Sequence, residues 1–259
     1  MSSHERASHD EINNVTYQRC QFAYEYAIDI VRGKKVLDLG CGLAYGTAQM
    51  AKEATEVTAV DYDAKTISGN RQHYKDLKNL KFIQGAVPPL PFEDNLFDVV
   101  TMFQFIEHIR DRKKLLEECR RVLKNNGTLI VTTPNAIKSF APNPFHIHEY
   151  TFDEMKTEMQ NIFPSFQLKA LKGNETVNNY YRENEKFVRK IMKWDFLKLH
   201  RIIPASLLMK PYNFITTLMR KALKKNVQDT VSISTSDFML DAIALDEGWD
   251  IYVLAKKAV

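Results

Sequence analysis

Three glycines and two carboxylates in this chain are spaced for a nucleotide-type ligand. Gly40, Gly42 and Gly46 stand in "VLDLGCGLAYGTAQM", at the exit of the apolar run 36–39. They spell G-x-G-x-x-x-G, one residue longer than the common dinucleotide fingerprint. Bare backbone opening a helix lets an anionic or polar ligand press against free N–H groups. Glycines alone also suit a tight strand-to-helix turn. What argues for a ligand is Asp61, 21 residues past Gly40 at the end of the run "EVTAVD". A carboxylate there accepts hydrogen bonds from both hydroxyls of a ribose.

Asp38, two residues before the first glycine, decides which ligand. A dinucleotide places an anionic pyrophosphate on this loop, and a buried carboxylate beneath it would be repelled strongly in a low dielectric. A cationic ligand reverses the sign. S-adenosylmethionine carries an ammonium and a sulfonium, so it is the expected cofactor. An NAD-dependent oxidoreductase on the same sheet is the competing reading. Asp38, the longer glycine spacing and the lack of a helical Tyr-x-x-x-Lys pair stand against it; Tyr252 and Lys256 have that spacing on a strand.

Two further segments offer acid–base chemistry. "FQFIEHIRD" carries Glu107 and His108, and "PNPFHIHEYTFDEM" carries His146 and His148. Imidazole titrates near neutrality, so His108, His146 and His148 are the candidate bases for an acceptor that must lose a proton. His146 and His148, two apart, share a side if extended. The same segment contains a helix start, with Thr151 as cap and Glu154 closing a capping box.

The elements that would position these residues follow from hydrophobic periodicity. "YQRCQFAYEYAIDIV" reads as a helix ending at Gly33. Strands are expected at "KKVLDLG", "EVTAVDYD", "LKFIQGA", "LFDVVTMFQF" and "TLIVTTP", with helices between them, among them "DRKKLLEECRRVLK". "FQLKAL" and "WDIYVLAKK" complete seven strands. The alternation predicts a doubly wound α/β fold with helices on both faces of a mostly parallel sheet. The crevice at the carboxyl ends of such strands is where ligands bind.

"VLDLGCGLAYG", "VTAVDYD", "FIQGAVPPLPFEDNLFDVV" and "GTLIVTTPN" resemble, in order over about residues 34–135, the successive motifs of class I S-adenosylmethionine-dependent methyltransferases. The segments "YQRCQFAYEYAIDIVRGKKVLDLGCG" and "NPFHIHEYTFDEM" are similar to bacterial members that modify sugars, glycans and small metabolites. The resemblance implies a Rossmann-like sheet whose last strand is antiparallel. It implies Asp38 and the backbone of Gly40 and Gly42 against the methionine end, and Asp61 on the ribose with Tyr62 beside the adenine; Cys41, Tyr45 and Gly46 of the same loop are further candidates for cofactor contact. Gly85, Ala86 and Val87 would line the adenine edge, and Phe103 and Gln104 would lie near the ammonium. Many relatives have an aspartate at the position of Ala86, so adenine here relies on backbone and packing. Glu107 and His108 resemble the E-x-x-E-H segment of ubiquinone-biosynthesis O-methyltransferases, but Gln104 replaces the first carboxylate. Losing a charged oxygen ligand weakens a hard-cation site, and His146 and His148 show no third ligand; no metal is expected.

Composition narrows the class. The 259 residues are 44% hydrophobic with a formal charge of +4, enough for one sizeable core and no demand for nucleic acid. Three cysteines without C-x-x-C spacing suggest neither a disulfide framework nor a zinc site. No secretory h-region or membrane span is legible, so a cytoplasmic protein is expected. The methyltransferase domain is read over residues 1–177 and 229–259, with a basic helical insertion at 178–228. Between Tyr180 and Lys225 twelve basic residues face three acidic ones, with seven aromatics interleaved. An insertion replacing a hairpin beside the strand ends is expected to meet a small-molecule or glycan acceptor, anionic if the basic charge is used. A peripheral membrane contact is the alternative. The acceptor atom is read as a hydroxyl oxygen, with an amine nitrogen or a non-catalytic subunit as the other readings.

Overall fold

Val36 and Leu37 are neighbours in the first strand and are buried in different cores. Side chains of a strand alternate between faces, so a run that is apolar throughout must be covered on both. The computed structural model, which describes residues 14–140, 143–192 and 232–258, shows that arrangement. Strands β1 (Lys35–Leu39), β2 (Glu56–Asp61), β3 (Leu80–Gln84), β4 (Phe97–Phe103) and β5 (Leu123–Pro134) are parallel. They are joined in one sheet to β6 (Ser165–Gly173), β7 (Phe238–Asp241) and β8 (Asp250–Lys256). The strand order is β3-β2-β1-β4-β5-β8-β6-β7, with β8 antiparallel to both β5 and β6.

On one face lie α1 (Asn14–Val31), α2 (Tyr45–Glu53), α3 (Ala64–His73) and α6 (Glu175–Met192), which bury Tyr24, Ala27, Val31, Met50, Ile67 and Val177. On the other, α4 (Arg112–Val122) buries Leu115, Leu116, Cys119 and Val122, the stripe legible in the sequence. Beside it, α5 (Phe152–Ile162) buries Met155 and Met159, and starts with the expected Thr151–Glu154 capping box.

The sheet has eight strands rather than seven. The extra one, β7, pairs four residues with β6 at the sheet edge. It lies past the insertion, where no strand was expected, because four residues with one buried side chain, Phe238, are too short to display a strand period. The start of the basic insertion is α6 itself, whose Tyr180 and Tyr181 are buried against the rest of the fold. Its outer charges are paired locally: Arg182 with Glu175, Lys186 with Glu183 and Arg189 with Glu185. Residues 193–228 of the insertion lie outside the described residues. No helix among the described residues is long and apolar enough to cross a membrane.

Strand order reverses between β1 and β4. In open sheets of this kind the carboxyl ends of the strands at such a switch point are where ligands bind.

Candidate functional site

The loop leaving β1 turns through three left-handed positions, Gly40 at φ +75, Gly42 at φ +51 and Ala44 at φ 59. Side-chain-bearing residues pay a steric penalty there, which the two glycines avoid. A Cβ on Gly40 would also stand 2.2 Å from the ring of Phe105, just past β4. Gly46 has a different reason to be glycine. A Cβ there would stand 2.2 Å from the Tyr24 ring, so Gly46 brings α2 against α1.

Asp61 ties the second strand to this loop. Its Oδ2 accepts the Gly42 N–H at 3.0 Å and its Oδ1 accepts the Asp63 N–H at 2.9 Å. Asn70 of α3 donates to the Gly42 carbonyl at 2.7 Å, closing the loop from the other side. Asn70 carries no sequence signal. The Gly85 N–H bonds the Asp61 carbonyl at 3.0 Å, which brings the segment with Ala86 and Val87 to the end of β2. Tyr62 is 44% exposed at the same edge.

Asp38 is fully buried beneath the loop and bound by hydroxyls. Thr47 donates to its Oδ2 at 2.5 Å and Thr101 to its Oδ1 at 2.8 Å. Burial pushes its carboxyl up to about 6, against the Thr47, Thr101 and Tyr24 hydrogen bonds that favour the charged form. Asp38 therefore acts on the loop by its field, from below. Above it the rings of Tyr17 and Tyr45 are 4.8 Å apart, and Tyr24 and Phe103 4.5 Å, so Tyr45 belongs to an aromatic cluster as well as to the loop. Cys41 is buried under the same turn.

Past β4, Gln104 holds φ 50, a conformation uncommon for a residue with a Cβ and frequent at functional sites. Its N–H bonds the Thr132 carbonyl at 2.9 Å and its side chain reaches Thr132 Oγ1 at 3.4 Å. It thus turns toward β5 and Asp250. Asp250 in turn pairs with Arg19 of α1 at 3.1 Å, an inner ion pair with no motif to announce it.

The two acid–base segments, separate in the sequence, meet here. A short turn at Ile106–His108 carries Glu107, whose main-chain carbonyl accepts the N–H groups of Ile147 at 2.7 Å and His148 at 3.2 Å. The His108 Nδ1 lies 2.9 Å from the Phe145 carbonyl. These bonds staple the 143–149 loop to the end of β4. The rings of His108 and His146 end 5.0 Å apart, edge to face. Glu149 stands 2.5 Å from His146 Nδ1, a partner that the sequence reading did not single out. His148 points elsewhere, against the Tyr150 ring and 4.0 Å from Glu154.

Burial dominates the electrostatics of this cluster. It pushes the Glu107 carboxyl up to about 8, despite a 3.0 Å bond from Thr133, and the charges of Asp250 and Glu149 act in the same direction. Burial pulls His108 down to about 4, with His146 adding to the effect. Glu149 is held below the usual carboxylate range: burial raises it, but contact with His146 and Ser139 outweighs that.

Comparison with known proteins bears directly on this arrangement. Residues 37–131, from β1 through most of β5, match the family model described as a methyltransferase domain. Residues 37–131 thus form a methyltransferase domain, and relatives that share this region are described as probable S-adenosylmethionine-dependent methyltransferases. S-adenosylmethionine is the cofactor that belongs to this domain. A probable S-adenosylmethionine-dependent methyltransferase of Mycobacterium tuberculosis is 37% identical over 151 residues, covering 56% of this chain and 54% of that one. The ubiquinone biosynthesis O-methyltransferase of Pasteurella multocida is 32% identical over 121 residues, 42% of this chain and 50% of the other. The chain spans about half the length of the curated relatives it matches. Among solved structures, a possible histamine N-methyltransferase of Thermotoga maritima superposes with a TM-score of 0.59 at 13% identity, covering 94% and 91% of the two chains. The [4+2]-cyclase SpnF gives 0.58 at 15%, covering 94% and 82%. A cyclase and a methyltransferase on one architecture show that this likeness establishes the fold alone.

Proposed function

We propose that this protein transfers the methyl group of S-adenosylmethionine to a hydroxyl oxygen of a small-molecule or glycan-type acceptor. The observation that carries the reading is the meeting of His146, Glu149, His108 and Glu107 in one cluster just past β4. Transfer from a sulfonium is an in-line displacement in which the cofactor supplies the activated methyl, and the protein supplies orientation and exclusion of water. An amine acceptor needs only to be neutral. A hydroxyl acceptor must also lose its proton, and a histidine fixed by a carboxylate is the arrangement that serves this.

In this reading Asp61 and the Gly40–Gly42 turn hold the ribose and methionine portions, and the field of Asp38 favours the cationic donor over a neutral or anionic one. The Tyr17, Tyr24 and Tyr45 rings shield the sulfonium side from water and suit a cation. The basic insertion supplies the acceptor's outer contacts. Incubation with S-adenosylmethionine carrying a carbon-13 methyl group, in the presence of a panel of candidate acceptors, tests the assignment. The account expects product resonances of O-methyl type, and N-methyl resonances alone would overturn it.

A further inference from the structure

The resemblance of "FQFIEHIRD" to a metal-binding segment argued against a metal here, because Gln104 replaces a ligand. In the structure Gln104 turns to Thr132 and Asp250. The structure also supplies a donor that no sequence spacing linked to Glu107 and His108. One donor atom each of Glu107, His108 and His146 lies within 4.8 Å of the other two. We propose that these three side chains form a site for one divalent first-row transition cation, held between the turn after β4 and the 143–149 loop.

Three features of the cluster support this beyond proximity. Glu107 Oε1 is buried and has no hydrogen-bond partner, while its Oε2 is oriented by Thr133. A buried carboxyl oxygen left without a hydrogen-bond partner calls for one, and a cation that displaces the carboxyl proton would supply it. His108 has its Nδ1 on the Phe145 carbonyl, which fixes the proton there and leaves the Nε2 lone pair for ligation. His146 is arranged in the same way. Its Nδ1 faces Glu149, and its Nε2 faces the Nδ2 of Asn143 at 2.9 Å. The orientation of that amide is set independently, because Asn143 Oδ1 accepts the Phe145 N–H at 3.0 Å. Nε2 of His146 is therefore an acceptor, and a cation would take the place of the amide hydrogen.

Metal-bound histidines nearly always give their second nitrogen to a carboxylate or a backbone carbonyl, and here one does each. Two imidazoles and one carboxylate favour zinc, cobalt, iron or manganese over magnesium and calcium, which prefer oxygen ligands. Loop 143–149 is held to Glu107 through the Ile147 and His148 amides, so the third ligand is positioned before any cation arrives. At this position a cation would lower the pKa of a coordinated hydroxyl, and the cluster would then act through the metal rather than as a free base.

Binding of the metal alone tests the proposal without any acceptor. Tag-free full-length protein, freed of metal with a chelator, is titrated with Co2+ while the visible ligand-field bands and the metal-to-protein ratio after gel filtration are read. One equivalent is expected, displaced by Zn2+. His146→Ala and Glu107→Gln should each weaken binding at least tenfold. Glu149→Gln should weaken it about 10- to 100-fold through His146, and His148→Ala should leave it unchanged. S-adenosylhomocysteine binding reports whether each variant is folded. Absence of stoichiometric cobalt in the folded protein, or binding indifferent to His146→Ala, would overturn the site. Failure here with methyl transfer to oxygen still observed would leave the cluster as a free base; metal binding without O-methyl product would instead overturn the acceptor assignment alone.

Discussion

The carboxylate of Asp61 accepts the backbone N–H of Gly42 at 3.0 Å, so the end of β2 fixes the loop that follows β1. A carboxylate can accept more than two hydrogen bonds, so one group can serve both a backbone turn and a ligand hydroxyl. In the proposed reading Asp61 has two tasks, holding the turn and meeting the cofactor. Asp61→Ala should weaken S-adenosylhomocysteine binding at least tenfold, since charge-assisted bonds of ~1.5 to 3 kcal/mol each are lost. Isothermal titration of the folded variant gives the answer, and unchanged affinity would remove Asp61 from the site.

Gly46 predicts a stability effect. A Cβ at this position meets the Tyr24 ring at 2.2 Å, and both belong to packed helices. Gly46→Ala should lower stability by about 1 to 3 kcal/mol, the usual range for overpacking. Shrinking the opposing ring in Gly46→Ala/Tyr24→Leu should recover part of the loss. Denaturant unfolding of the two variants measures both values.

Asp38 makes stability depend on pH in an unusual direction. Its folded value, about 6, lies above the unfolded carboxylate value, so the native state binds the extra proton. The associated stability is present below pH ~4 and is lost as pH rises to about 6, with an upper bound of roughly 3 kcal/mol. Asp38→Asn should therefore gain in melting temperature relative to the wild type as pH rises through that window. Binding of the cationic cofactor draws on the charged form, so affinity for S-adenosylmethionine should strengthen as pH rises through about 6, and Asp38→Asn should abolish that dependence.

At the acid–base cluster, His146→Ala should reduce turnover by about 10² to 10⁴ while S-adenosylhomocysteine affinity stays within a few-fold, because proton removal and cofactor binding use different residues. Loss of Glu149 should have a smaller effect of the same kind, and His148→Ala smaller still. A matching loss of cofactor affinity in His146→Ala would place the histidine on the wrong side of the crevice.

The cofactor half of the site was legible because its residues sit within one strand–loop–helix unit and a second strand end. Local spacing alone therefore placed Asp38, Gly40, Gly42 and Asp61. The same spacing picked out Gly46, but its close contact is with Tyr24, which only the packing of α1 on α2 reveals. The acceptor half was legible in its parts and not in its assembly. His108 and His146 are separated by 38 residues, and their approach depends on main-chain bonds from Glu107 to the 143–149 loop, which no side-chain pattern encodes. Arg19 and Asp250 lie at opposite ends of the chain, and an ion pair between them has no sequence period. Strand β7 escaped for a similar reason: four residues at a sheet edge take their conformation from β6 rather than from their own alternation.

The central claim is that the crevice between β1 and β4 binds a cationic methyl donor over a buried carboxylate. Parallel calorimetric titrations of the full chain with S-adenosylmethionine, S-adenosylhomocysteine and NAD test it most directly. The account predicts one-to-one binding of both sulfur compounds, sharply weakened in Asp61→Ala, and no heat attributable to NAD. Stoichiometric binding of NAD without binding of either sulfur compound would contradict it.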